Sequence, residues 1–106
     1  MAKIKQTFVF FDNEGTAKIS DNDLYVNGND GLVITAEGSG QVEIQGLADI
    51  NSDSWTPIAV INKSDFSVGD KITKAGIYTC SVDGYWKVRA EIKSVTSPLS
   101  VCVNLM

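Results

Sequence analysis

The stretch Trp86-Lys87-Val88-Arg89-Ala90-Glu91-Ile92-Lys93 alternates apolar and charged residues without a break. Successive side chains of a strand point to opposite faces, so Trp86, Val88, Ala90 and Ile92 share one face and Lys87, Arg89, Glu91 and Lys93 share the other. That is the pattern of a half-buried antiparallel strand with its charged face in water, and it predicts Trp86 in the core. Just upstream, Ile77-Tyr78-Thr79-Cys80-Ser81-Val82 has strand composition, and Asp83-Gly84 stands between the two runs. Asp tolerates positive φ and Gly meets no steric penalty there, so the pair predicts a type I′ hairpin. Downstream, residues 94–97 and Pro98 predict a loop. Leu99-Ser100-Val101-Cys102-Val103-Asn104 then alternates again, with Leu99, Val101 and Val103 inward and Cys102 outward beside Ser100 and Asn104.

Toward the N-terminus the same reading gives a first strand over residues 3–11 and a short one over 24–26. Residues 32–36 and 42–47 form a pair bracketing Glu37-Gly38-Ser39-Gly40 as a second hairpin connection. Residues 55–61 make a strand that Pro57 assigns to an edge or a strand start, and residues 71–73 make a short one. Valine and isoleucine total 21 against 12 for leucine and alanine, a bias toward strand. No window carries a helical stripe. Eight to nine short strands with turn signals every 8–12 residues predict an all-β chain, a single antiparallel β-sandwich of Greek-key or jelly-roll type. With 106 residues, nine scattered glycines and only two prolines, no linker divides it, and residues 1–106 are expected to form one domain.

Composition narrows the chemistry. Histidine is absent, which removes the commonest general base and the commonest metal ligand. Cys80 and Cys102 lack CxxC spacing, so no zinc site is expected, and free thiols are favoured over a disulfide. Ten serines without histidine give no triad, and the glycines form no phosphate-binding loop. The Asp-rich stretches fail the EF-hand spacing. With Gly28 at position six, Tyr25 falls at position three and Ile34 at twelve. Asp21, Asp23 and Asp30 read first as turn formers, with a non-EF calcium site gathered from the three as the minor alternative. No catalytic residue, metal or cofactor is expected, and the protein is read as a non-enzyme.

A net charge of −4 argues against nucleic acid as a partner. The charge is uneven: residues 11–53 hold nine acids against Lys18 alone, which reads first as a solvated acidic face for solubility and second as a division that would steer subunits into register. The apolar run Phe8-Val9-Phe10-Phe11 is too short for a signal peptide, and no stretch approaches the ~18 apolar residues of a membrane helix. Neither export nor membrane insertion is expected. The segment 1–11, with Lys3, Ile4, Lys5, Phe8 and Phe10, is either the first strand or an assembly arm pairing with a neighbouring subunit's sheet edge. Among the aromatic residues Tyr25, Trp55, Tyr78, Tyr85 and Trp86, two are candidates for an exposed binding platform. Trp55 follows the polar run Asn51-Ser52-Asp53-Ser54, and Tyr85 sits beside the predicted turn.

From Trp55 onward the chain resembles a known group. The run Trp55-Thr56-Pro57-Ile58 is followed by Gly76-Ile77-Tyr78, by Val82-Asp83-Gly84-Tyr85-Trp86-Lys87-Val88-Arg89-Ala90-Glu91-Ile92, and by Thr96-Ser97 leading to Val101-Cys102-Val103. This is similar to small β-sandwich modules of tailed-bacteriophage virion proteins, including head-decoration, head-fibre and tail-associated components. Pro98-Leu99 departs from the pattern, where glycine or small residues are expected, and residues 1–54 carry no resemblance. The likeness implies a virion structural protein made in the host cytoplasm. Its expected partners are copies of itself, a trimer first, and the major capsid or tail proteins. The competing expectation, from the aromatics, is a carbohydrate-binding module that recognises surface glycans through Trp55 and Tyr85.

Overall fold

The structure, a computed structural model, describes residues 7–106. It is all-β and antiparallel, with eight strands: β1 (Thr7–Glu14), β2 (Leu24–Tyr25), β3 (Gly31–Leu47), β4 (Trp55–Pro57), β5 (Val60–Asn62), β6 (Val68–Gly69), β7 (Gly76–Ser81) and β8 (Lys87–Leu105). All eight belong to one hydrogen-bonded sheet, ordered β1-β8-β3-β7-β5-β6, with β2 added to β8 and β4 added to β3. The two long strands are shared by two sections. The first half of β8 and the second half of β3 form a four-stranded section with β2 and β4 at its edges. The other halves form a six-stranded section with β1, β7, β5 and β6. Inward residues of both sections, including Ile44, Val88 and Ile92 from one and Leu32, Ile34, Val101 and Val103 from the other, make one buried cluster.

Between the sections the strands change register three times, because β8 uses three residues more than β3 on the way from Ser100 (opposite Glu37) to Ile92 (opposite Val42). The surplus is odd, so it changes which residues of β8 face the core. Val88, Ala90 and Ile92 are buried before the crossing, and Leu99, Val101 and Val103 after it. This is the inward and outward assignment expected on both sides, with the exception of Trp86, which is not buried with Val88, Ala90 and Ile92.

What lies between departs from expectation. Residues 37–40 are not a hairpin and residues 94–98 are not a loop; both run inside strands, facing each other. Gly38, at φ 88°, lies so close to Pro98 that a Cβ would run into the Pro98 carbonyl. Only glycine accepts both the left-handed backbone and that approach. The breakers that sequence reads as chain reversals are instead the bend through which paired strands pass from one section to the other.

The Asp83-Gly84 hairpin is likewise corrected. The reversal forms, with Tyr85 N–H donating to Val82 O at 3.0 Å, but it is not type I′: Gly84 alone takes positive φ (88°), and Asp83 does not. However, β7 pairs with β3 and β5, not with β8. Turn chemistry sets a local change of direction and leaves the partner open. Residues 55–61 divide in the same way. β4 pairs with β3 in the four-stranded section, as an edge strand containing Pro57, and β5 pairs with β7 in the other. Residues 71–73 contribute one isolated bridge, Val42 to Ile72.

β1 pairs with the end of β8 inside this chain, from Thr7 opposite Asn104. A bulge at Phe10 sets two residues against one, so that Phe10 and Phe11 are both buried, while Phe8 meets the Phe10 ring edge-on at 5.1 Å. Of the candidate arm, Phe8 and Phe10 therefore pack in the chain's own sheet. Lys3, Ile4 and Lys5 lie outside the described residues. Cys80 points inward and Cys102 outward on strands separated by β3, and both are free.

Candidate functional site

The outward face of the four-stranded section is built around one register row. Trp55, Leu47, Lys87 and Tyr25 lie side by side across β4, β3, β8 and β2. Leu47 pairs directly with both Trp55 and Lys87 and is 4% exposed, so it is the floor of the cluster. Lys87 Nζ stands 5.8 Å from the Trp55 ring, 5.9 Å from Tyr25 and 5.1 Å from Trp86, and 3.2 Å from the Asp23 carboxylate. These are cation–π distances, each worth about 0.5–1 kcal/mol at an exposed site. Trp86, expected in the core, is half-buried. It precedes the first residue of β8, and its ring meets Tyr25 edge-on at 5.4 Å.

Two residues along β8, the Arg89 guanidinium carbon lies 4.3 Å from the Trp55 ring centroid. Arg89 Nε donates to Gln45 Oε1 at 2.7 Å, and Gln45 Nε2 donates to Glu43 at 2.7 Å and to Glu91 at 2.8 Å. Glu43 and Glu91 are direct cross-strand neighbours, an arrangement that alone is repulsive. The Gln45 amide between them, with Lys93 Nζ 3.0 Å from Glu91 and 3.9 Å from Glu43, resolves it. Lys93 first, then Gln45, holds the Glu91 carboxyl below its ordinary value. Gln45 and Glu43 are 5% and 7% exposed, and no buried side-chain nitrogen or oxygen among the described residues lacks a partner. Arg89 is therefore held by a buried, saturated network on one side while its terminal nitrogens make no salt bridge among the described residues.

Of the two candidate aromatic residues, Trp55 is in this cluster, half-exposed. Tyr85 is elsewhere: its ring packs against the core over Gly46, where a Cβ would come within 2.5 Å of it. Tyr25, Trp86, Lys87 and Arg89 are the members that single-residue reading did not assemble. The available signal was Lys87 and Arg89 on the outward face of the best strand. Tyr78, the remaining aromatic candidate, is buried, and its hydroxyl donates to Lys74 O at 2.9 Å.

The outward face of the six-stranded section has a different character. One row, Thr7–Asn104–Val33–Thr79–Ile61–Val68, crosses all six strands, and a second, Val9–Cys102–Thr35–Ile77, crosses four. Neither row holds a charge. Val9, Ile61, Val68 and Ile77 are all exposed on it. A shallow groove of about 350 Å³ runs beside Val9, Thr35 and Cys102 and ends at Asp12 and Glu37.

Conventional reactive groups are dispersed. Burial pushes the Cys80 thiol up to about 11, which leaves it a poor nucleophile. Asp21 pairs with Lys18 at 3.2 Å and Asp23 with Lys87, so two of the three aspartates considered for calcium are engaged with lysines. No group of three His, Cys, Asp or Glu that would hold a metal occurs among the described residues. No helix among them is long and apolar enough to cross a membrane.

No protein-family model matches the sequence, and no curated protein matches it. Two crystal structures share the fold. The SPBc2 prophage-derived protein YomS superposes with a TM-score of 0.82 at 22% identity, covering 99% of this chain and 96% of that one. The PBSX exported protein XepA superposes with a TM-score of 0.84 at 24% identity, covering 99% of this chain and 39% of that one.

Proposed function

We propose that this chain is a non-enzymatic structural protein of a bacteriophage virion, a head-decoration or tail-associated component that binds the capsid or tail lattice as a symmetric homo-oligomer, a trimer first. The observation that carries this reading is the likeness to a prophage-derived protein along nearly the whole of both chains. The two uncharged rows of the six-stranded face support it. Exposed valine and isoleucine, interleaved with threonine and asparagine, suit a surface buried against a copy of itself without charge desolvation. The edge of β1 continues that face, and Lys3, Ile4 and Lys5 precede it in sequence as candidate assembly residues.

Light scattering on the purified chain tests self-association: a mass of about three times 11.4 kDa, or another closed ring, is expected. Val68→Lys with Ile77→Lys should return the mass to a single chain while leaving the circular dichroism unchanged, because both side chains are exposed. In the assembled protein Cys102 should react with a thiol reagent more slowly than in that double variant. A wild-type monomer at every concentration, together with absence of the chain from purified virions by mass spectrometry, overturns the reading.

A further inference from the structure

The charged and aromatic cluster of the four-stranded section lies apart from the uncharged rows and plays no part in the assembly reading. We propose that it is a binding site for an acidic saccharide, with sugar rings stacked on Trp55 and Tyr25 and a carboxylate, sulfate or phosphate group held by Arg89 and Lys87.

Three observations lead there. First, the rings are displayed rather than stored: Tyr25 is 63% exposed and Trp55 is half-exposed, although the core lies directly beneath. Flat aromatic faces match the apolar C–H faces of pyranose rings. The row from Trp55 to Tyr25 spans three interstrand spacings, ~14 Å, the reach of a short oligosaccharide. Second, Arg89 is pre-organised. Stacked on Trp55 and anchored through Nε to a glutamine that is itself fully engaged, the guanidinium keeps its terminal N–H groups for a ligand. That fork fits a planar or tetrahedral anion bidentately, and little side-chain freedom is left to lose on binding. Third, Lys87 stands among all three rings and supplies a second positive charge; its partner Asp23 lies on the loop side, ahead of β2. A neutral sugar would use the rings and leave the Arg89 fork idle. An extended acidic peptide would use the cations and offer no flat apolar face to the rings.

Trp55 and Trp86 are the only tryptophans, so intrinsic fluorescence reports on this cluster alone. The test titrates the full chain with a hexamer of galacturonic acid and with a sulfated galactose hexamer, against a neutral galactose hexamer and hexaglutamate. Fluorescence and calorimetry are followed together. At least one acidic hexamer should shift the tryptophan emission and bind tenfold or more tighter than the neutral hexamer, with affinity falling as salt rises. Tyr25→Ala and Arg89→Gln should each weaken binding tenfold or more. Arg89→Lys, which keeps the charge and loses the fork, should not restore it. Lys63→Gln, in the other section, should change nothing. Tyr25→Ala removes an exposed ring and leaves the fold intact, so its result stands even where Arg89→Gln disturbs the network beneath. Silence toward both acidic hexamers overturns the proposal. So does equal binding of the neutral hexamer, which would remove the role of the cations, or equal binding of hexaglutamate, which would make the site one for peptides.

Discussion

The two halves of β8 bury their inward residues by the same rule and treat their outward faces in opposite ways. In the first half Val88, Ala90 and Ile92 are at most 1% exposed, and in the second Leu99, Val101 and Val103 are at most 2% exposed. Outward, the first half shows Lys87, Arg89, Glu91 and Lys93, and the second shows Ser100, Cys102 and Asn104. A single strand thus serves one core and two unlike surfaces. The inside is specified by burial alone, while each outside face is free to meet a different partner, a sugar on one and a copy of the chain on the other in the readings above.

The comparison breaks most severely at the bend between the halves. Gly38→Val combines a left-handed backbone with a collision against the Pro98 carbonyl, and is expected to cost on the order of 3 kcal/mol or more in urea denaturation. A cost below about 1 kcal/mol would mean that the strands bend elsewhere. Next come matched truncations on either side of it. Ile92→Ala and Leu99→Ala should each cost about 2–5 kcal/mol, both within one cooperative transition seen alike by fluorescence and circular dichroism. Two separate transitions in either variant would show that the halves do not share a core.

Smaller effects should distinguish the two outward faces. Gln45→Ala strips Arg89, Glu43 and Glu91 of their common partner beneath the surface and is expected to cost about 1–3 kcal/mol. Asn104→Ala, which loses an exposed bond from Thr7, should stay within about 0.5 kcal/mol. Equal costs would contradict the contrast. The slightest effect is on acid sensitivity. Because the folded chain holds the Glu91 carboxyl below its ordinary value of 4.5, Glu91 adds stability that is fully present above 4.5 and is lost as the pH falls on through the lowered folded value. Glu91→Gln should flatten that part of the acid limb. Asp65, lowered first by the Ser67 hydroxyl in a turn outside both faces, should keep the remainder.

What sequence makes legible here is whatever depends on neighbours along the chain. The alternation around Val88 and around Val101 gives the inward faces, the outward position of Cys102, and the all-β class. Pro57 marks an edge because its missing N–H matters wherever the strand pairs. The rest depends on residues distant in sequence. Gly38-Ser39-Gly40 and the segment ending at Pro98 each look like a break, and only their mutual pairing turns two breaks into one bend. Asp83-Gly84 specifies a turn, while the partner of β7 is decided by Leu32 and Ile34 far upstream. The candidate site follows the same rule. Trp55 was visible alone, but it meets Lys87 and Tyr25 only because Leu47 pairs with Trp55 on one side and Lys87 on the other. Tyr85 stands beside its turn as expected, yet Gly46 offers its ring a seat against the core.

The three surplus residues of β8 also constrain how the chain can change its length. One residue inserted or deleted between Ile92 and Leu99 would turn everything beyond it inside out, placing Leu99, Val101 and Val103 in water and Ser100, Cys102 and Asn104 in the core. Two residues gained or lost would restore every side chain to its own face and alter only the width of the crossing. Natural variation at this point is therefore expected in even steps, so that the parity of one short segment is inherited more strictly than its sequence.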